Sequence, residues 1–191
     1  MSAGTGRPRG GGPPEGFVLV TGNPHKAEEA RRIVGPTLEV AAIELPEIQS
    51  LDPREVLRAK AHEAWRRVER PLVVEETSLE LVALGGFPGP LVKWMLAAAG
   101  AEGIARCAAG AGDPSARARC LVLYFDGAHE VVGEGVEQGR LVLPARGDTG
   151  FGWDVVFMPD GDDRTYAELG PEEKDARGHR GRAWRDLLRK L

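Results

Sequence analysis

The chain has 191 residues, 42% of them hydrophobic, and sets 25 basic against 29 acidic side chains for a net charge of −4. That is enough for one well-packed domain with a smaller lobe, and the acidic balance excludes a general nucleic-acid or membrane-surface binder, which would show a basic excess. Cys107 and Cys120 lack CxxC spacing and are too few for a disulfide framework or a zinc site, so they read as small buried apolar residues.

Residues 1–15, rich in Gly, Pro and Arg, predict a disordered tail. The N-terminus lacks the apolar core of a secretory signal. No apolar stretch approaches the ~20 residues of a membrane span, and a soluble, cytoplasmic protein is expected. FVLV (17–20) predicts a strand that enters the loop TGNPHK and then a helix through AEEARRIVG, stopped by Gly35-Pro36. LEVAAIEL (38–45) reads as a second strand, followed by the loop PEIQSLDP. An amphipathic helix is predicted over 53–68, with Val56, Leu57, Ala61, Ala64, Trp65 and Val68 on one face.

LVVEE (72–76) and LELVAL (79–84) read as two strands, the loop GGFPGP follows, and LVKWMLAAAG reads as a helix. ARCLVLYF (118–125) and HEVVGEGV predict a hairpin with Asp126-Gly127 as its two-residue turn. RLVL and WDVVFM (153–158) add two strands. The terminal PEEKDARGHRGRAWRDLLRKL opens on Pro at a helix N1 position and is weakened as a helix at Gly178 and Gly181. An early βαβ pattern with a later hairpin predicts an α/β fold with a mixed central sheet flanked by helices, residues 16–191 forming one domain.

Four stretches could carry chemistry. In VTGNPHKAEE a strand runs through a Gly-containing loop into a helix, which would aim backbone N–H groups and the positive helix end at an anion, with Lys26 adding a point charge. The P-loop spacing is absent, such turns are also common as plain structure, and His25 reads as an exposed loop residue. In LGGFPGPLVKW two glycines and two prolines predict a rigid loop, with Lys93 just beyond as a phosphate contact or an ordinary surface lysine. In DTGFGWDVVF, Phe151 and Trp153 alternate with glycine; a base could stack there, or the rings could be core packing, and Asp154 could accept from a base edge or ribose. In EEKDARGHRGR, Lys174, His179 and Arg180 could donate to a nucleobase carbonyl or a phosphate, or form a solvated basic face.

Magnesium uses one or two carboxylates plus substrate phosphates, and Glu47 and Glu76 are the candidates, with Glu44 and Glu75 as their supporting neighbours. Strand alternation sends Glu75 and Glu76 to opposite sides, so only one is expected to face a given cleft, and Glu76 is assigned to it. No Ser-His-Asp set or His/Cys cluster is evident, which favours metal–phosphate chemistry over covalent catalysis.

In this order, TGNPHK, ELPE, the lysine of LRAKAHEA, VEETSLELVALGGFPGPLVKW, FGWD, the lysine of EEKDA and GHR resemble the inosine triphosphate pyrophosphatase (Ham1-like) family over about residues 17–188. The resemblance implies two lobes around a nucleotide-binding cleft, Mg²⁺ dependence, a homodimer, and hydrolysis of ITP, dITP and XTP to the monophosphate and pyrophosphate. It implies that Thr21, Asn23, Lys26, Lys60 and Lys93 hold the triphosphate, and that Glu47 and Glu76 hold the metal, Glu76 also activating water. Phe151 would stack on the base. Gly152, Trp153, Asp154 and Thr77 would complete the substrate pocket, with Lys174, His179 and Arg180 at the purine edge. Three positions depart from the family pattern: Glu76 where it has Asp, Gly178 where it has Ser, and Val155 where it has Pro. Beside an active pyrophosphatase, they leave open one with shifted base preference and a nucleotide-binding homologue without turnover.

Overall fold

The structure, a computed structural model, describes residues 16–191. The tail expected at 1–15 lies outside the described residues. Strand β1 (Val18–Val20) leads into helix α1 (Pro24–Val34), strand β2 (Glu39–Ala41) and helix α2 (Pro53–Val68). The long strand β3 (Leu72–Leu81) is followed by a 3₁₀ turn, the short β4 (Pro88–Gly89) and helix α3 (Val92–Gly110). Strands β5 (Ser115–Phe125) and β6 (Glu130–Leu141), the short β7 (Phe157–Pro159), and helices α4 (Pro171–Arg177) and α5 (His179–Lys190) complete the chain.

All seven strands join one sheet of order β2-β1-β3-β5-β6-β7, with β4 attached to β3. β1 is parallel to β2 and β3, and the other pairings are antiparallel. The mixed α/β fold expected from the sequence is therefore the observed one. β5 pairs with β3 along its whole length, so β1 and β4 share the other edge of β3. β1 pairs only with Leu72 and Val73, and β4 only with Leu79 and Glu80. Between them, residues 74–78 of β3 have no strand alongside.

Three buried clusters hold the sheet. On one face α1 and α5 pack over Leu19, Val73, Cys120 and Val122 through Ala30, Trp184 and Leu187. On the other, α2 packs Leu57, Ala61 and Ala64 against Val18, Val74, Leu121 and Leu123. The third cluster joins α3, through Ile104 and Ala108, to the far half of β3 and to Trp153, Phe157 and Tyr166. α2 has the predicted bounds because Asp52 caps it at the Arg54 N–H (2.8 Å) and Pro53 opens it.

Several predicted boundaries are corrected. The two strands read at 72–76 and 79–84 are one continuous strand, because Thr77 and Ser78 keep the β5 ladder at Cys120 and Arg119. The segment 153–156 is a turn held by Val156 N–H to Trp153 O and Phe157 N–H to Trp153 O, so only its end forms a strand. RLVL contributes to β6 as far as Leu141. In the hairpin, Asp126 pairs with His129 and its carboxylate caps the Ala128 and His129 N–H groups, placing Gly127-Ala128 at the turn centre in place of Asp126-Gly127. The terminal helix breaks at Gly178 alone, while Gly181 is helical.

The glycines of VVGEGV have a packing role, since a Cβ on Gly133 or Gly135 would overlap the α5 backbone at Ala183 or His179. Gly135→Ala should cost about 1–3 kcal/mol by overpacking. Gly110→Ala, in open space at the end of α3, should be neutral or slightly stabilising. Urea midpoints of the two variants measure this, and equal midpoints would contradict the packing assignment.

Candidate active site

A cleft of about 550 Å³ opens where β3 lacks its neighbour, within the size range of small-ligand sites. It is lined from the β1–α1 loop by Thr21, Asn23, His25 and Lys26, and from β3 by Glu75, Glu76 and Thr77. Glu47, Lys60 and Lys93 enter from one side, and Phe151, Gly152, Trp153, Asp154, His179 and Arg180 from the other. Of the residues assigned to the metal or the substrate from the sequence, Lys174 alone is not among the cleft's lining; it sits behind Phe151, its Nζ 5.0 Å from the ring centre.

The start of α1 is not a bare anion site. Asn23 caps the helix, its Oδ1 accepting from the His25 and Lys26 N–H groups at 3.0 and 3.3 Å, and its own N–H donates to Thr21 Oγ1 at 3.2 Å. The first-turn donors are already used, so an anion here would be met by the side chains of Thr21, Asn23 and Lys26, correcting the expectation of free helix N–H groups.

The carboxylates at the centre correct another expectation. Glu75 and Glu76 do lie on opposite faces of β3, opposite Val122 and Leu121 respectively. Both nevertheless line the cleft, because the open edge of the strand gives access from either face. Lys60 is buried on the packing face of α2, and its Nζ lies 2.5 Å from Glu76 Oε2 and 2.9 Å from Glu47 Oε1. Burial disfavours the Lys60 ammonium, but Glu76 and Glu47 outweigh it and raise its pKa; burial likewise opposes the Glu47 carboxylate, and Lys60 outweighs that to lower its pKa. Lys93 is half-exposed, 3.6 Å from Glu47 Oε2.

Among the described residues no group of three or more His, Cys, Asp or Glu converges as a metal nest. Glu47 and Glu76 already share one cation, the Lys60 ammonium, in an open cleft. Two hard carboxylates so placed fit Mg²⁺, which fills its remaining positions with water and substrate phosphates.

The other end of the cleft is rigid. Gly150 and Gly152 both have positive φ (73° and 67°), which presents Phe151 at the mouth. The Phe151 N–H donates to Asp154 Oδ2 at 2.8 Å. That oxygen also accepts from Lys174 Nζ at 2.6 Å, and Lys174 reaches Glu29 Oε1 at 2.8 Å. Asp154 thus braces the pocket through Oδ2, its carboxyl pushed up by burial against the pull of Lys174. Arg180 is buried and held by Glu29, by Glu75 (3.1 Å) and by Thr77 Oγ1 (3.2 Å).

His179 is 2% exposed, and neither ring nitrogen has a hydrogen-bond partner. It stacks on Tyr166 at 5.7 Å and leans on Trp153 at 5.4 Å. Burial, aided by the charges of Arg180 and Lys174, holds its pKa well below 6.5 and keeps the ring neutral near pH 7. At Gly178, a Cβ would come within 2.6 Å of the Lys174 carbonyl oxygen, so serine at this position would require the turn between α4 and α5 to shift.

One end of the cleft is cationic and carboxylate-bearing, the other aromatic with unpaired polar atoms. That combination on a mixed α/β sheet defines a class of proteins that bind nucleotides and can act on their phosphates. The Ham1 family model matches residues 17–190, and the chain belongs to the Ham1 family. Similar solved structures include a HAM1 protein from Coxiella burnetii at 26% identity, covering 92% of this chain and 98% of that one with a TM-score of 0.76. A nucleoside-triphosphatase, also called dITP/XTP pyrophosphatase, from Mycobacterium abscessus is 30% identical, covering 90% and 99% with a TM-score of 0.68. The Staphylococcus aureus Ham1 protein shares the fold at 22% identity and a TM-score of 0.68, covering 91% and 97%.

The residue missing from the sequence-based set is Glu29, 4% exposed and bound to both Lys174 and Arg180. Its position three residues beyond Lys26 on α1, beside buried Ala30, was the available signal. Burial opposes its charge, but Arg180 and Lys174 pull its pKa from 4.5 to about 2. Its stabilising contribution is therefore complete above about pH 4.5 and is lost as the pH falls towards 2. Between pH 5 and 3, wild type should lose about 2 kcal/mol more stability than Glu29→Gln; parallel pH curves from urea unfolding would contradict this.

Proposed function

We propose that the protein is a Mg²⁺-dependent pyrophosphatase for deaminated purine triphosphates (ITP, dITP and XTP), releasing the monophosphate and pyrophosphate. The observation that carries it is His179: buried, neutral and unpaired at both ring nitrogens in the cleft wall. Buried polar atoms need partners; a neutral imidazole can offer either a donor or an acceptor through its tautomer, whereas Arg180 beside it only donates, and a purine with a 6-oxo acceptor satisfies both. Adenine presents a 6-amino donor in place of that acceptor and leaves a mismatch at Arg180, which cannot accept. The name of the M. abscessus relative points the same way.

With the base on Phe151, the triphosphate extends toward Lys26, Lys60 and Lys93. Bound Mg²⁺ would be held by Glu47 and Glu76 and would neutralise phosphate charge. Glu76 takes a proton from the attacking water, whose oxygen bonds the α-phosphorus as the bond to the bridging oxygen breaks and pyrophosphate leaves. The lysines face the charge that develops on the leaving group. Arg180, held by Glu29 and Glu75, fixes the pocket wall at which the base is read.

A homodimer accompanies this reading, supported by the exposed apolar side chains Ile48, Leu51, Phe87 and Trp94. So does a cytoplasmic setting, where nucleotide pools reside.

Pyrophosphate release from ITP, XTP and ATP with Mg²⁺ tests the proposal. ITP or XTP should exceed ATP by at least about 10² in kcat/KM. Glu76→Gln should lose about 10²–10⁴ in kcat, and Glu76→Asp, which withdraws the carboxylate by ~1 Å, up to about 10². No release from any of the three by wild type, with ITP still bound, would leave a nucleotide-binding protein.

A further inference from the structure

Phe151 has three neighbours positioned to meet its ring. Lys174 Nζ lies 5.0 Å and Arg180 Cζ 5.5 Å from the ring centre. Both are buried and tied by hydrogen bonds to carboxylates, so neither can yield its place cheaply. The third is His25, whose imidazole stacks on Phe151 at 5.2 Å with an interplanar angle of 14°. His25 is exposed, and among the described residues its ring nitrogens make no hydrogen bond to the protein. A base inserted between the two rings would need them about 7 Å apart, two stacking layers of roughly 3.4 Å. The observed spacing leaves no such slot.

We propose that His25 is an internal stand-in for the purine: it covers the stacking face of Phe151 in the free protein and is displaced by the base. This rests on the reading of Phe151 as the base platform. The pair also forms a wall shared by the main cleft and a side crevice of about 150 Å³ bordered by Glu28, Thr149 and Leu169, which gives the displaced ring room to move. Asn23 Oδ1 anchors the His25 backbone, so the exchange needs only side-chain rotation and leaves the phosphate-facing loop in place. His25 thereby sets a threshold for occupancy, since a ligand must stack on Phe151 better than an imidazole does.

Calorimetry with inosine monophosphate and with inorganic pyrophosphate, on wild type, His25→Ala and His25→Trp, tests the exchange. His25→Ala should bind the monophosphate about three- to tenfold more tightly, as expected for removal of one aromatic pair. His25→Trp should bind it more weakly, and pyrophosphate, which has no base, should bind all three within about twofold. Unchanged or weaker monophosphate binding by His25→Ala overturns the inference. Equal changes for both ligands also overturn it, because the effect would then lie in the loop. Pyrophosphate release from ITP, followed on the same preparations, separates the two readings. Binding that follows the predicted order without turnover defeats the catalytic proposal and supports the role of His25, whereas ITP turnover with no monophosphate binding by any of the three proteins overturns the role of His25 and leaves the catalytic proposal standing.

Discussion

The edge of β3 is the constraint from which the site follows. β1 pairs with it for two residues and β4 for two more, leaving residues 74–78 without a strand alongside. Backbone groups in such a gap must meet water or a ligand, and the side chains there are reachable from both faces of the sheet. That is why Glu75, Glu76 and Thr77, which strand alternation sends to different sides, line one cleft. The same departure of β1 delivers the Thr21–Lys26 loop to the rim, as expected where the strand order of an open α/β sheet reverses, here at β1 between β2 and β3.

Around the gap, charge is fixed in two groups with different tasks. Arg180, Lys174, Glu29, Glu75 and Asp154 form a buried network in which every cation has two carboxylates within ion-pair distance. Networks of this kind contribute little net stability relative to a packed apolar core, but they are costly to break. Here the network clamps Phe151 through Asp154 and holds Arg180 through Thr77. The second group, Lys60 with Glu47 and Glu76, is open to the cleft. One group shapes the pocket, and under the proposed function the other is the one that would face the reacting phosphates.

The sequence made much of this legible, for identifiable reasons. Lys60 falls three residues after Leu57 and four before Ala64, and that helical spacing alone puts it on the buried face of α2. The alternation of Glu75 and Glu76 was also readable, but their shared cleft was not, since it depends on where a neighbouring strand stops. The segment 153–156 carries β-branched residues and reads as strand, yet the turn at Trp153 wins by closing two backbone hydrogen bonds. The role of Glu29 was not legible, because its partners, Lys174 and Arg180, are about 150 residues away in sequence. The His25–Phe151 stack was hidden for the same reason.

The central claim is that one nucleotide spans the gap, with its base at the aromatic end and its phosphates at the lysine end. A crystal structure of Glu76→Gln with ITP and Mg²⁺ tests it most directly. The account predicts hypoxanthine on Phe151 with its 6-oxo group facing His179 and Arg180, and the triphosphate passing residues 74–78 toward Lys26, Lys60 and Lys93. A nucleotide bound in the reverse sense, or outside the cleft, would contradict it.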